Sequence, residues 1–173
     1  MRSILRRLPA VVLAVFALSL TSRPALAQRA LVYCPVGVDE TGCANIVSAL
    51  SSRYVAVDRG YDGSGGTVDL RTADLRGYSV VVIPSLADAD SVRPYALLRD
   101  ADVVSHLRSA LIGGLVMYSG TPDQGSANRS DKNILLLNLV NWADSGAVAA
   151  GGPGLVALLD ASPWIGAQAL QAQ

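Results

Sequence analysis

Two short apolar runs on either side of one amphipathic segment constrain the fold of this chain most strongly. Residues 80–83 read Val-Val-Val-Ile, and residues 115–118 read Leu-Val-Met-Tyr. Between them, Val103, Val104 and Leu107 begin an apolar pattern with helical spacing that continues to Leu111. A strand, a helix and a second strand in this order are typical of a parallel α/β sheet. Small polar residues follow both strands, where proteins of this class bind their ligands.

The same alternation extends through the rest of the chain. Further strands are predicted at residues 29–34, 54–57 and 155–159, and further helices at 43–53, 131–142 and 163–169. The predicted fold class is therefore α/β, a three-layer α/β/α sandwich with a mainly parallel, doubly wound, flavodoxin-like sheet of about five strands. The helix at 131–142 is apolar nearly all round, which indicates that it is deeply buried or covers a partner.

The first 27 residues have the pattern of a cleavable signal peptide. Three arginines (2, 6 and 7) precede the apolar stretch 8–20, which is short for a membrane span, and Ala25-Leu26-Ala27 forms an A-x-A cleavage signal. We expect cleavage after Ala27, which leaves residues 28–173 as a single secreted or periplasmic domain. An uncleaved membrane anchor is the alternative interpretation, and the paired arginines leave general or twin-arginine export open.

Composition favours a folded, mildly acidic domain. The chain is 51% hydrophobic, which is too apolar for a disordered protein. After cleavage, ten basic residues face 14 acidic ones, and Lys132 is the only lysine. Without a basic stripe we predict no nucleic-acid partner, and no membrane partner once the signal is removed.

The two cysteines, Cys34 and Cys43, are predicted to form a disulfide, because paired cysteines outside the cytoplasm are usually oxidised. The bridge would join the end of the first strand to the start of the first helix. A reactive thiol at Cys34 is the alternative. A metal pair is disfavoured because no histidine is nearby.

Polar residues at the ends of the predicted strands are the candidate ligand site. Asp58 and Cys34 belong to this set, and the five residues that we predict to bind a ligand are Ser85, Asp88, Ser119, Thr121 and Asp123. The competing interpretation is that small polar residues simply end strands and cap helices. The glycine-rich stretch 62–66 lacks the lysine of a phosphate-binding loop and the acid spacing of a calcium loop, so no cofactor or metal is predicted.

The order of elements from residue 30 to 143 resembles the class I glutamine-amidotransferase-like superfamily, including its trehalose-utilisation-type and related divergent secreted members. The resemblance rests on strand 80–83, the helix after it, Gly113-Gly114, strand 115–118 with its sharp turn, and the apolar helix that follows. It implies a flavodoxin-like fold with a nucleophile at that turn.

The chain departs from the catalytic pattern of that superfamily. Active members carry a cysteine within G-x-C-x-G, whereas this turn reads Met117-Tyr118-Ser119-Gly120-Thr121. Active members also supply a late histidine, and the only histidine here is His106, predicted to lie at the surface of the preceding helix. A serine nucleophile needs a base within hydrogen-bond reach, and no histidine is predicted beside Ser119. The chain is therefore predicted to lack the catalytic residues of the superfamily.

Three hypotheses follow. The first is an exported, non-catalytic amidotransferase-like domain that binds a small polar ligand or a protein partner. The second is a divergent hydrolase of a small polar or carbohydrate substrate, working through strand-end serines or through Asp58, Asp88 and Asp123 with a divalent metal. The third is that the chain is a fragment of a longer surface protein.

Overall fold

The fold is a six-stranded parallel sheet between layers of helices, which confirms the predicted α/β class. The computed structural model describes residues 29–34, 40–61, 67–85 and 100–159. The predicted signal peptide, the glycine-rich stretch 62–66, Asp88 and the predicted last helix lie outside these residues. The strands are β1 (Arg29–Tyr33), β2 (Ala56–Tyr61), β3 (Val68–Asp69), β4 (Val80–Ile83), β5 (Leu115–Ser119) and β6 (Gly154–Leu159), and the helices are α1 (Glu40–Leu50), α2 (Ala101–Ala110) and α3 (Arg129–Ala150).

The strand order is β3-β2-β1-β4-β6-β5. The chain builds β2 and β3 outward from one side of β1 and then begins again with β4 on the other side. The crevice between β1 and β4 is therefore the switch point of the sheet. Unlike the simple flavodoxin order, β6 is inserted between β4 and β5, which leaves β5 at the edge. The continuously apolar β6 takes the covered position, and β5 is alternately exposed and half-buried.

Each face of the sheet has its own hydrophobic core. On one face, Ile46 and Leu50 of α1 and Leu136 and Val140 of α3 pack over Val82 and its neighbours. On the other face, α2 packs Val103 and Leu107 onto Val81, Ile83 and Leu31. Successive residues of β4 therefore serve opposite cores, which explains why residues 80–83 are apolar without interruption.

The second strand differs most from its prediction. It was predicted at residues 54–57, but β2 spans Ala56–Tyr61, because its backbone pairs with the whole of β1, from Arg29↔Ala56 to Tyr33↔Gly60. Tyr54 lies before the strand, where its hydroxyl donates to Asp144 of α3 over 3.1 Å. The extra strand β3 is a two-residue edge pair that its short sequence did not reveal.

The helix predicted at 131–142 is longer than expected, and of its two predicted interpretations deep burial does not hold along its whole surface. It runs from Arg129 to Ala150, and Ile134 and Trp142 are 55% and 61% exposed. Trp142 lies against Gly114 just before β5. None of the described helices combines the length and the hydrophobicity required to cross a membrane.

Candidate functional site

The carboxyl edge of the sheet between β1 and β4 gathers the polar residues of interest. Cys34 directly follows β1, Ser85 follows β4, and the first turn of α1 lies over the same edge. The turn 121–125 after β5 reaches back past β6 to join them, because its Asp123 contacts Ser85. The site therefore forms at the switch point, where parallel sheets bind ligands.

Ser85 and Asp123, two of the five predicted ligand residues, are hydrogen-bonded to each other. The Ser85 hydroxyl donates to Asp123 Oδ1, and the two residues are only 2% and 0% exposed. Burial raises the pKa of the Asp123 carboxyl above its ordinary value, because water no longer stabilises the charged form. Hydrogen bonds from Ser85, from Gln124 and from backbone N–H groups oppose that shift.

Two amide side chains complete the surroundings of Asp123. Gln124 Nε2 lies 3.2 Å from Asp123 Oδ2 and 3.4 Å from the Ser85 carbonyl oxygen. Asn45 of α1 donates through Nδ2 to the Asp123 carbonyl oxygen over 2.7 Å. The turn after β5 is thereby tied both to α1 and to the end of β4. Asn45 and Gln124 were missed from the sequence, where nothing distinguishes them from ordinary polar residues.

Two cations on the first turn of α3 hold the backbone of the same turn. The Arg129 guanidinium donates to the carbonyl oxygens of Pro122, Asp123 and Gly125, at 3.3 Å for the last two. Lys132 Nζ donates to the Gln124 carbonyl oxygen over 2.7 Å. Four consecutive carbonyl groups therefore have cationic partners, so the turn that carries Asp123 is fixed at its backbone as well as at its side chains.

Gly42 allows α1 to approach this cluster closely. A Cβ atom at residue 42 would lie 2.7 Å from Asp123 Oδ2 and 2.3 Å from Gln124 Nε2. No other residue fits at this position without displacing one of the two side chains. Gly42 lies just before the helix predicted at 43–53, so the sequence did not indicate this contact.

The predicted disulfide is confirmed. Cys34 and Cys43 are bonded, with their Cα atoms 5.7 Å apart. Cys43 directly follows Gly42, so the bridge fastens the first turn of α1 to the end of β1 beside the Asp123 cluster. Neither cysteine is a free thiol or a metal ligand.

Ser119 and Thr121 are not brought into the hydrogen-bonded cluster. Ser119 is the exposed last residue of the edge strand β5, two strand spacings, or about 10 Å, from β4. Nine residues, 120–128, separate it from α3. A nucleophile elbow places its residue on a tight strand-to-helix turn, which this connection is not. Thr121 is half-buried and contributes its carbonyl oxygen to the Gln124 N–H over 3.1 Å.

Two predicted positions need correction. Asp58 does not end its strand: it is the third residue of β2, paired with Leu31, and its carboxylate binds Arg29 at the amino end of β1 over 2.5 Å. His106 is half-buried rather than at the surface, and its Nε2 lies 2.6 Å from the Ala73 carbonyl oxygen. It belongs to α2, which covers the face of the sheet opposite α1 and α3.

Within the described ranges, no three histidine, cysteine or carboxylate side chains gather in a way that would hold a metal ion. Asp58 lies within β2 and Asp123 in the turn after β5, so these two carboxylates are far apart. Asp88 lies outside the described residues. The two carboxylates that can be placed therefore do not support the suggested three-carboxylate site. Comparison with known proteins adds no assignment: no family model matches the chain, and no curated protein matches it significantly.

Proposed function

We propose that this protein is an exported, non-catalytic domain of the amidotransferase-like type, which binds a small polar ligand or a protein partner at the carboxyl edge between β1 and β4. The observation that carries the proposal is the buried Ser85–Asp123 pair at the switch point. Around it, the amide side chains of Gln124 and Asn45 carry both donor and acceptor groups, as the recognition of a small polar molecule requires.

Three features favour binding over hydrolysis. Asp123 is already engaged by Ser85 and Gln124, so its carboxylate is committed to positioning the turn. Ser119, at the place of the superfamily nucleophile, lies on an exposed edge strand without an elbow. His106 is hydrogen-bonded to Ala73 in the opposite layer. Activation of Ser119 needs a base within hydrogen-bond reach, and the printed contacts of Asp123 and His106 go to Ser85, Gln124 and Ala73 instead.

The proposed location is secreted or periplasmic. It is supported by the signal-peptide pattern in residues 1–27 and by the Cys34–Cys43 disulfide, since such bonds persist in oxidising compartments. Intact-mass measurement of the protein from the exported fraction tests it. We expect a mature chain that begins at Gln28, and a protein retained at full mass in the membrane fraction would contradict export.

The binding proposal is tested with a panel of sugars, amino acids, primary amides and small carboxylates, by thermal shift and then calorimetry. We expect a ligand whose dissociation constant rises at least about tenfold in Gln124→Ala, which removes one recognition group worth roughly 1.4 kcal/mol. Asn138→Ala, at an exposed position of α3, is the matched control and should bind as the wild type does. If every binder tolerates Gln124→Ala, the site lies elsewhere.

The same preparation distinguishes the hydrolase alternative. It is assayed for release of ammonia from glutamine and for cleavage of a panel of esters and glycosides. We expect no turnover above that of the Ser85→Ala and Ser119→Ala variants. Turnover that disappears in either variant would establish catalysis and overturn the proposal.

A further inference from the structure

The outer edge of β5 is an unusually apolar sheet edge. β5 reads Leu-Val-Met-Tyr-Ser, and it pairs with β6 alone among the described strands. Leu115 and Met117 are 58% and 60% exposed on the same face of the strand. Proteins protect edge strands with charges, prolines or bulges, and β5 has no charged residue or proline along its length.

The flank of this edge is apolar as well. On α3, Trp142 and Ile134 are more than half exposed. Trp142 lies against Gly114 at the amino end of β5. Ile134 lies two turns earlier on α3, toward the carboxyl end of β5, because the helix returns antiparallel to the strands. Exposed apolar side chains therefore accompany the edge strand along its length.

We propose that the edge of β5 is the interface between two copies of this chain, related by a two-fold axis through Met117. Two copies of β5 then pair in antiparallel fashion and join the two sheets into one. Such an interface uses the same surface on both partners. It leaves no β5 edge exposed, because each copy satisfies the backbone groups of the other.

The sequence of β5 is self-complementary in this register. Met117 meets Met117 of the second copy, Leu115 lies opposite Ser119, and Val116 lies opposite Tyr118. A β-branched side chain opposite an aromatic one is a favourable cross-strand pair. No charge faces a like charge along the strand. On α3, the two-fold axis places Trp142 of one copy toward Ile134 of the other, because these residues lie at opposite ends of β5.

The available area suits a dimer of moderate size. Four large side chains on β5 and α3 are each more than half exposed: Leu115, Met117, Ile134 and Trp142. Together they expose on the order of 500 Å² of apolar surface per copy, and each partner of a standard interface buries about 800 Å². The backbone of β5, which pairs with that of the second copy, supplies further polar area.

Sedimentation velocity of the purified mature protein, from about 1 to 100 µM, tests the proposal. We expect a reversible dimer whose dissociation constant rises at least about tenfold in Met117→Lys, since the two-fold axis brings two like charges together. Val55→Lys is the control. Val55 is 81% exposed and precedes β2, which lies near the opposite edge of the sheet from β5, so the dimer should persist. Circular dichroism establishes that both variants are folded.

A second variant tests the register itself. Met117→Cys should form a covalent dimer on mild oxidation, because equivalent residues on the two-fold axis face each other across an antiparallel pair. Val55→Cys should remain uncrosslinked. A monomeric wild type at the highest concentration, as expected if residues 160–173 cover β5, would overturn the proposal. So would a dimer that is insensitive to Met117→Lys, or assemblies that grow beyond two copies.

Discussion

The Ser85 hydroxyl donates a hydrogen bond to the carboxylate of Asp123, 38 residues later in the chain. This contact joins the end of β4 to the turn after β5 across the inserted strand β6. Both residues are buried, so the bond connects two loops at the switch point where water is excluded. Its contribution to stability can be tested directly.

Ser85→Ala is expected to lower the free energy of unfolding by about 1–3 kcal/mol, because it leaves a buried carboxylate oxygen without its hydroxyl donor. Denaturant unfolding at neutral pH measures the loss. Ser105→Ala, an exposed position on α2, is the control and should change stability by no more than about 0.5 kcal/mol. Equal stability of the two variants would mean that the buried bond contributes nothing.

The pH dependence of stability should report on Asp123. Its raised pKa means that the folded protein retains a proton which the unfolded chain releases above about pH 4. The contribution of Asp123 to the free energy of unfolding therefore decreases as pH rises from that point through the folded-state pKa of Asp123, and it is constant above that pKa. Asp123→Asn removes this contribution, so the difference between wild type and variant should change with pH in that window. Asp131→Asn, at an exposed position, is the comparison. A pH-independent difference for Asp123→Asn would show that burial does not raise the pKa.

Gly42→Ala should destabilise the protein, although alanine is normally better than glycine within a helix by about 1 kcal/mol. The added Cβ would meet Asp123 Oδ2 at 2.7 Å, and Ser85 holds that carboxylate in place. We expect a net loss of about 1–2 kcal/mol in denaturant unfolding, the usual cost of overpacking. Gly77→Ala has open space around the new Cβ and should be close to neutral. A gain of stability in Gly42→Ala would show that α1 does not approach the cluster so closely.

The fold class was predictable because β1, β4 and β6 are continuous apolar runs after their first residue. Val80–Ile83 serves two cores at once and therefore shows no polar position. β2 was placed wrongly because Asp58, Arg59 and Gly60 lie inside it. Their strand conformation comes from backbone pairing with β1, a tertiary effect that overrides the local preference of those residues.

The candidate site was predictable in its place but not in its contacts. Ser85 and Asp123 both follow strands, and parallel strands bring their carboxyl ends to one edge. Their pairing depends on the turn after β5 crossing β6, and no local pattern indicates that β6 is inserted there. Asn45 and Arg129 act through backbone carbonyl groups, so their side-chain types carried no signal.

Tyr54 should ionise well above the ordinary pKa of a tyrosine. Burial raises its pKa to about 12, and its hydroxyl donates to the buried Asp144 carboxylate. Absorbance at the tyrosinate band after rapid pH jumps should show a transition near that pH, lost in Tyr54→Phe and retained in Tyr118→Phe. Because the folded pKa lies above that of the unfolded chain, this tyrosine should also cause stability to fall as pH rises from about 10. Ionisation of all tyrosines near pH 10 would contradict the buried contact.

Reduction of the Cys34–Cys43 disulfide should cost about 2.6 kcal/mol of unfolding free energy, the value expected for closing a loop with a sequence separation of nine residues. The bridge holds the first turn of α1, so its loss should also loosen the contacts of Gly42 and Asn45 with the turn that carries Asp123. Denaturant unfolding with and without reductant measures the effect. The Cys34→Ser/Cys43→Ser double variant should match the reduced wild type and should not respond to reductant. If hydrogen exchange at Asn45 and Asp123 is the same in reduced and oxidised protein, the disulfide stabilises the fold without securing the site.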